Sequence, residues 1–249
     1  MCPPDSTPGQ DFTAPRVTVV IPCHNHADML LDAIQSIVIQ DYRPIQICVV
    51  DDGSKDNPKS KLKDYETDIN IAFIINESPT GPSAARNIAI ERMWDHTDLF
   101  MMLDADDLYL QGKISKSVEK FLEYPDHVGI IYTDAVIKNI HTNTKVHEFR
   151  TYFDREELEK ECIISNTPMV TKQAFEQCGG YDESMRTCED WDLWLRITEN
   201  FMAIHIPEPL HVYHVTGKNS SDVVPQKVWQ ENWAKISQKL AERKHGASY

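Results

Sequence analysis

The chain has 249 residues and a formal charge of −14, set by 25 Lys plus Arg against 39 Asp plus Glu, with 41% hydrophobic and 26% charged residues. That balance suits a globular chain of one large domain or two small ones and excludes disorder, collagen or coiled coil as a description of the whole. Protonating all ten histidines leaves the charge negative, and no local basic patch stands out, so a sequence-independent grip on nucleic-acid phosphates is not expected.

Residues 1–15 hold Pro3, Pro4, Pro8 and Pro15 and almost no large apolar side chain, which reads as a loose leader. The β-branched run Val17-Thr18-Val19-Val20-Ile21 then predicts a strand buried on both faces and stopped by Pro22. Leu30, Ile34, Ile37 and Val38 fall on one side of a helix that Asp28 is placed to cap. Apolar strands recur at residues 45–50, 71–75 and 99–103; between the last two, Pro82 suits a first helical turn, with Ala84, Ala85, Ile88 and Ala89 as a packing face. Strands alternating with helices at this spacing predict an α/β fold with a mostly parallel sheet, and ligands bind such sheets beyond the carboxyl ends of the strands.

Past Gly112 the alternation loosens. The pattern predicts a helix at 114–122, strands near 128–137, a short acidic helix from Asp154, a helix at 189–199 and two more strands at 203–206 and 210–215. In the last stretch Val228, Trp229, Trp233, Ile236 and Leu240 keep helical spacing, as a face docked on the body would. The six cysteines include no C-x-x-C pair, the amino terminus has neither a basic start nor an apolar stretch, and no run approaches the roughly 18 apolar residues of a membrane span. A cytoplasmic protein with at most peripheral membrane contact is the expectation.

Three carboxylate clusters follow strands or open a helix: Asp51-Asp52, Asp104-Ala105-Asp106-Asp107, and Glu189-Asp190 with Asp192. Each alone fits a turn or a helix start equally well. Together at one sheet edge they repel one another unless a cation or a proton compensates, and oxygen-only ligands suit Mg2+ or Mn2+. An Asp-x-Asp pair leaves coordination positions for phosphate oxygens, which points to a nucleoside diphosphate. Arg86-Asn87 near the start of a helix adds a cation and backbone N–H groups for an anionic ligand. Trp191 and Trp194, three apart beside Asp190, share a face that suits either core packing or a sugar ring.

In this order the motifs resemble the inverting glycosyltransferases of family 2, with the GT-A fold. The resemblance runs through Val19-Val20-Ile21-Pro22 with Asn25, the segment 31–40, Val49-Val50-Asp51-Asp52-Gly53-Ser54, Gly81 and Ala85-Arg86-Asn87. It continues through Leu103-Asp104-Ala105-Asp106-Asp107, Gly179-Gly180-Tyr181-Asp182 and Glu189-Asp190-Trp191-Asp192-Leu193-Trp194-Leu195-Arg196. It implies a UDP-sugar donor, a Mn2+ or Mg2+ ion, and transfer to a hydroxyl acceptor on a glycan, lipid-linked or protein substrate. By the same resemblance Pro22, Asn25 and Asp51 border the nucleobase, Arg86 lies near the nucleotide, Asp104 faces ribose and metal, and Asp106 and His214 hold the metal. Asp190 is then the general base.

The implied organisation is a leader at 1–15, a GT-A domain at 16–217 with a nucleotide-binding half (16–110) and an acceptor-side half (111–217), and a helical tail or lid at 218–249. Two other readings compete: a non-catalytic nucleotide-sugar or carbohydrate-binding protein on the same fold, and a nucleotidyltransferase. The latter calls for a Gly-rich basic loop after the first strand, where this chain has Pro22-Cys23-His24-Asn25.

Overall fold

The computed structural model describes residues 14–246; Pro3, Pro4 and Pro8 of the expected leader lie outside them. Four strands, β1 (Val17–Cys23), β2 (Ile45–Asp52), β3 (Asn70–Asn76) and β4 (Leu99–Met102), pair in parallel in the order β3-β2-β1-β4. Helices α1 (Ala27–Val38) and α2 (Pro82–Met93) make crossovers between them. Alternate residues of the buried strands feed opposite faces: Val17, Val19 and Ile21 pack with Ile34 and Ile37 of α1, whereas Val20, Cys48 and Val50 pack with Ala85 and Ala89 of α2.

Strand β1 does not stop at Pro22 but runs on to Cys23, with Pro22 opposite Val50 of β2. Val20, two residues earlier and facing the same way, accepts the Leu103 N–H at 3.1 Å on the β4 side. The donor that Pro22 lacks would point to the same side and is the one that would follow the Val20–Leu103 bond, so the β1–β4 ladder ends with that bond. Asp28 is not the cap of α1: it is exposed in the first turn and pairs with Lys61 at 3.0 Å. The Ala27 N–H is satisfied instead by Asp56 Oδ2 at 2.9 Å, from the loop after β2.

The other half of the sheet is mixed. It comprises β5 (Leu108–Tyr109), β6 (Val128–Asn139), β7 (Lys145–Glu148), β8 (Met169–Thr171) and β9 (Met202–Val215). The order continues β4-β8-β6-β9-β5 with β7 on β6; only β6 and β9 are parallel here. The two strands expected at 203–206 and 210–215 are one continuous strand through Pro207 and Pro209, accommodated by register shifts on both sides of Asp134 in β6. The remaining helices are α3 (Lys113–Leu122), α4 (Arg155–Leu158), α5 (Lys172–Cys178), α6 (Glu189–Ile197), α7 (Ser220–Val223) and α8 (Gln226–Gly246). Asp154 caps α4, accepting the Glu157 N–H. The α8 face docks as expected through buried Ile236 and partly buried Trp229 and Leu240, but Trp233 is 52% exposed. Among the described residues no helix is long and apolar enough to cross a membrane.

Candidate active site

A cavity of about 1290 Å³ opens at the carboxyl edge of the parallel strands, with Pro22, Asp52, Arg86, Asp104, Asp106 and Asp190 among its walls. A second hollow of about 720 Å³, bordered by Arg16, Gln46, Arg92 and His96, holds none of the motif residues. The carboxylate clusters thus meet where a doubly wound sheet binds ligands.

Arg86 is the hub. Its buried guanidinium donates to Asp104 Oδ1 at 2.7 Å and to Glu189 Oε1 at 2.8 Å, and stands 5.3 Å from the Tyr181 ring centre. Burial works against its charge, but Asp104, Tyr181 and Glu189 outweigh it and hold the group above the usual arginine range. Asn87, the next residue, clips the loop carrying that ring. Its Nδ2 donates to the Tyr181 carbonyl at 2.9 Å and its Oδ1 accepts the Tyr181 N–H at 2.8 Å. A Cβ on Gly180 would collide with the Asn87 amide, so the Arg86-Asn87 and Gly180-Tyr181 motifs are two halves of one contact.

Asp51 and Asp52 divide their work. Asp51 turns into its own loop, where Oδ1 accepts the Ser54 N–H at 2.9 Å. Asp52 accepts from Asn76 Nδ2, the Thr80 N–H and hydroxyl, and the Gly81 N–H at 2.7 to 3.0 Å, pinning the loop that leads into α2. Burial alone would raise its carboxyl; these bonds together hold it below the ordinary range. Asn25 has φ 57° and braces the same turn, its N–H donating to Ser54 Oγ and its Oδ1 accepting the Lys55 N–H. Asp51 and Asn25 are therefore built into the turn behind the cavity wall, while Pro22 and Asp52 face the cavity.

In the Asp-x-Asp segment, Asp104 already holds Arg86 on one oxygen and Asn166 Nδ2, at 3.1 Å, on the other. Asp106 is raised by burial and then by the Asp104 charge, and Asp107 is raised well above the ordinary range for the same reasons, with its Oδ2 buried and unpartnered. His214 sits against this segment: its N–H donates to Asp107 Oδ1 at 2.8 Å, and its Nδ1 lies 2.6 Å from the Asp106 carbonyl. A carbonyl only accepts, so Nδ1 carries the proton and Nε2 keeps a lone pair. His26 Nε2 stands 4.0 Å from Asp106 Oδ2.

Among the described residues no three His, Cys, Asp or Glu side chains form a ready-made metal cage. The crowded, burial-raised carboxylates still call for a cation, and of Asp104 and Asp106, which line the cavity, Asp106 keeps its side-chain lone pairs free of hydrogen-bond donors from other residues. Mg2+ and similar hard ions take one or two protein carboxylates and complete their shell with phosphate oxygens and water. The donor set fits an ion that arrives with a diphosphate.

Asp190, in the first turn of α6, is pushed up to about 6, first by burial and then by the Glu189 charge. One of its oxygens accepts its own helix's Trp191 N–H at 2.7 Å. Trp191 lines the cavity and donates its indole N–H to the Leu158 carbonyl at 2.6 Å; Trp194 is wholly buried in the core, edge-on to Tyr181. Sequence reasoning missed Asn166, His26 and the Glu189–Arg86 tie, since none lies in a pattern that identifies its partner.

A family model described as "Glycosyl transferase family 2" matches residues 18–178. The chain belongs to glycosyl transferase family 2. Among curated relatives of this family, an uncharacterized glycosyltransferase of Rickettsia typhi is 28% identical over 196 residues, covering 75% of this chain and 60% of its own length. The putative teichuronic acid biosynthesis glycosyltransferase TuaG of Bacillus subtilis is 33% identical over 213 residues, covering 83% and 82%. The chain therefore spans less than two thirds of the Rickettsia protein but most of TuaG. Among solved structures, S. aureus TarS 1–349 in complex with UDP-GlcNAc superposes with a TM-score of 0.73 over 89% of this chain and 64% of that one, at 15% identity. That likeness establishes the GT-A glycosyltransferase fold for this family 2 chain.

Proposed function

We propose that the chain is an inverting glycosyltransferase that moves a sugar from a UDP-sugar to a hydroxyl acceptor, with Asp190 as general base. The observation that carries this reading is the position of Asp190: a carboxyl raised to about 6 in the same cavity wall as Arg86, Asp104 and Asp106. A base tuned toward neutrality is ionised at pH 7 and still basic enough to take a proton in the transition state. The acceptor oxygen attacks the anomeric carbon as Asp190 receives its proton; the new C–O bond forms while the bond to the diphosphate breaks on the opposite face, and UDP departs with the electron pair. That geometry inverts the anomeric centre.

The UDP-GlcNAc complex of the fold neighbour TarS supports a uridine nucleotide donor. Pro22, Asn25 and Asp51 then form the nucleobase side, with Asn25 and Asp51 acting through the turn they brace. Arg86 orients Asp104 toward the ribose. Asp106, with His214 Nε2, would hold Mg2+ or Mn2+, which when bound neutralises charge on the leaving diphosphate. The test is UDP release from a panel of nucleotide sugars, with and without Mn2+, for the wild type and Asp190→Asn. Metal-stimulated release that the substitution abolishes is the expected result. Unchanged turnover in Asp190→Asn would reject the base assignment, and binding of a nucleotide sugar with no release of UDP under any condition would favour the binding-protein reading.

A further inference from the structure

The cavity is lined by many residues besides the motif residues, and part of that further wall comes from α8. Trp229 and Trp233, four residues apart and so on one face of that helix, both line it, with Ser237 one turn further on. Trp229 is partly buried against the core, whereas Trp233 is 52% exposed. A tryptophan that only filled space would be covered; this one lines the cavity with half of its surface open. The neighbouring residue, Asn232, ties the helix to Thr187, three residues before Asp190. The helix under Trp233 is firmly seated. Buried Asn232 donates to the Thr187 carbonyl and hydroxyl at 3.1 and 2.9 Å, Ile236 is buried, and Lys239 pairs with Asp182 at 2.5 Å and Asp192 at 3.0 Å.

Resting on the reading of Asp190 as the base, we infer that the Trp233 indole is the platform for the acceptor, and that the acceptor presents a pyranose ring. The C–H groups on one face of a pyranose carry partial positive charge and meet the negative face of an aromatic ring. Hydroxyls at the rim of such a ring need polar partners, and Glu183, Arg186 and Ser237 line the same cavity. A flexible open-chain polyol has no flat apolar face and gains little from the indole. Because Asn232, adjacent to Trp233, is bonded to Thr187 just before α6, the platform is indexed to the carboxylate that must receive the acceptor's proton. A rigid aromatic placed this way gives affinity at small entropic cost.

The test uses the full chain with Mn2+ and the best donor from the UDP-sugar panel. Methyl glucosides and methyl N-acetylglucosaminides are compared with ribitol and glycerol, reading acceptor-stimulated UDP release above the acceptor-independent background. The expected result is stimulation by the glycosides, with a KM for them at least tenfold higher in Trp233→Ala, largely restored in Trp233→Phe, and an unchanged KM for the donor. The acceptor-independent hydrolysis rate is unchanged in both variants. Equal stimulation by ribitol or glycerol, no stimulation by any glycoside, or an unaltered glycoside KM in Trp233→Ala overturns the platform. Loss of donor binding in the wild type itself would instead overturn the functional reading beneath it. Circular dichroism of Trp233→Ala checks the fold; the exposure of this side chain makes the substitution mild, and a misfolded Ala variant leaves Trp233→Phe and Trp233→Leu to decide by the same KM comparison.

Discussion

The two halves of the sheet hold their functional side chains by different means. On the parallel side the turn after β2 and the start of α2 are fixed by carboxylates and amides that bond backbone: Asp52 on Thr80 and Gly81, Asp51 on Ser54, Asn87 on Tyr181. On the mixed side the long strands β6 and β9 carry irregular register, and the cavity wall is finished by a helix held through side-chain ion pairs, one buried isoleucine and a single amide, Asn232 on Thr187. The first arrangement defines a precise, small geometry, which in the proposed function would receive the nucleotide. The second defines a seat whose shape depends on which side chains face inward, which suits the part of the site that selects among acceptors.

The largest way to sharpen this contrast is Asp190→Asn, which should lower transfer by about 10²- to 10⁴-fold while UDP binding measured by calorimetry stays unchanged. The same substitution should stabilise the fold. Asp190 is raised in the folded chain to about 6, so ionising it destabilises progressively as pH climbs from the ordinary carboxylate range to about 6. At pH 7.5 the Asn variant should gain roughly 1–3 kcal/mol after allowance for the open cavity. At pH 4 the difference in Tm should vanish. Wild-type kcat/KM should fall on an acid limb near the same value, since only the ionised carboxyl accepts a proton.

Next in size is Arg86→Met. It leaves Asp104 and Glu189 without their shared cation, and breaking such a buried pair costs about 3–5 kcal/mol. Denaturant unfolding should show that loss, together with weaker UDP binding. Asn87→Ala removes the clip on Tyr181 and should lose about 1–3 kcal/mol; an equal Tm would show that the loop is held elsewhere. The smallest effect belongs to the acceptor-side surface: the half-exposed Lys116–Glu208 pair should contribute no more than about 1 kcal/mol, and less at high salt. A large effect there would erase the distinction between the halves.

The parallel strands are legible in the sequence because burial on both faces leaves near-continuous β-branched runs, as in Val17-Thr18-Val19-Val20-Ile21. β9 is not, because Pro207 and Pro209 carry the signature of a break and only the register shift opposite Asp134 in β6 reveals how a strand absorbs them. The cap of α1 is misread for a related reason: Asp56 lies 29 residues from the N–H it accepts, and no local pattern links them. In the site, the carboxylates stand out as clusters, and the cavity does bring Asp52, Asp104, Asp106 and Asp190 together. Asn166 carries no such signal, since a lone amide in an irregular segment acquires meaning only from Asp104, 62 residues away. Trp233 belongs to a helical stripe whose other members pack, and only its exposure separates it from them.

The imino ring of Pro22 has a consequence for where the sheet ends. With any other residue there, the N–H of position 22 would follow the Val20–Leu103 bond and could carry the parallel ladder one step further along the chain after β4. Proline stops that zipper, and the Asp-x-Asp segment that follows Leu103 leaves the sheet there to become part of the cavity wall.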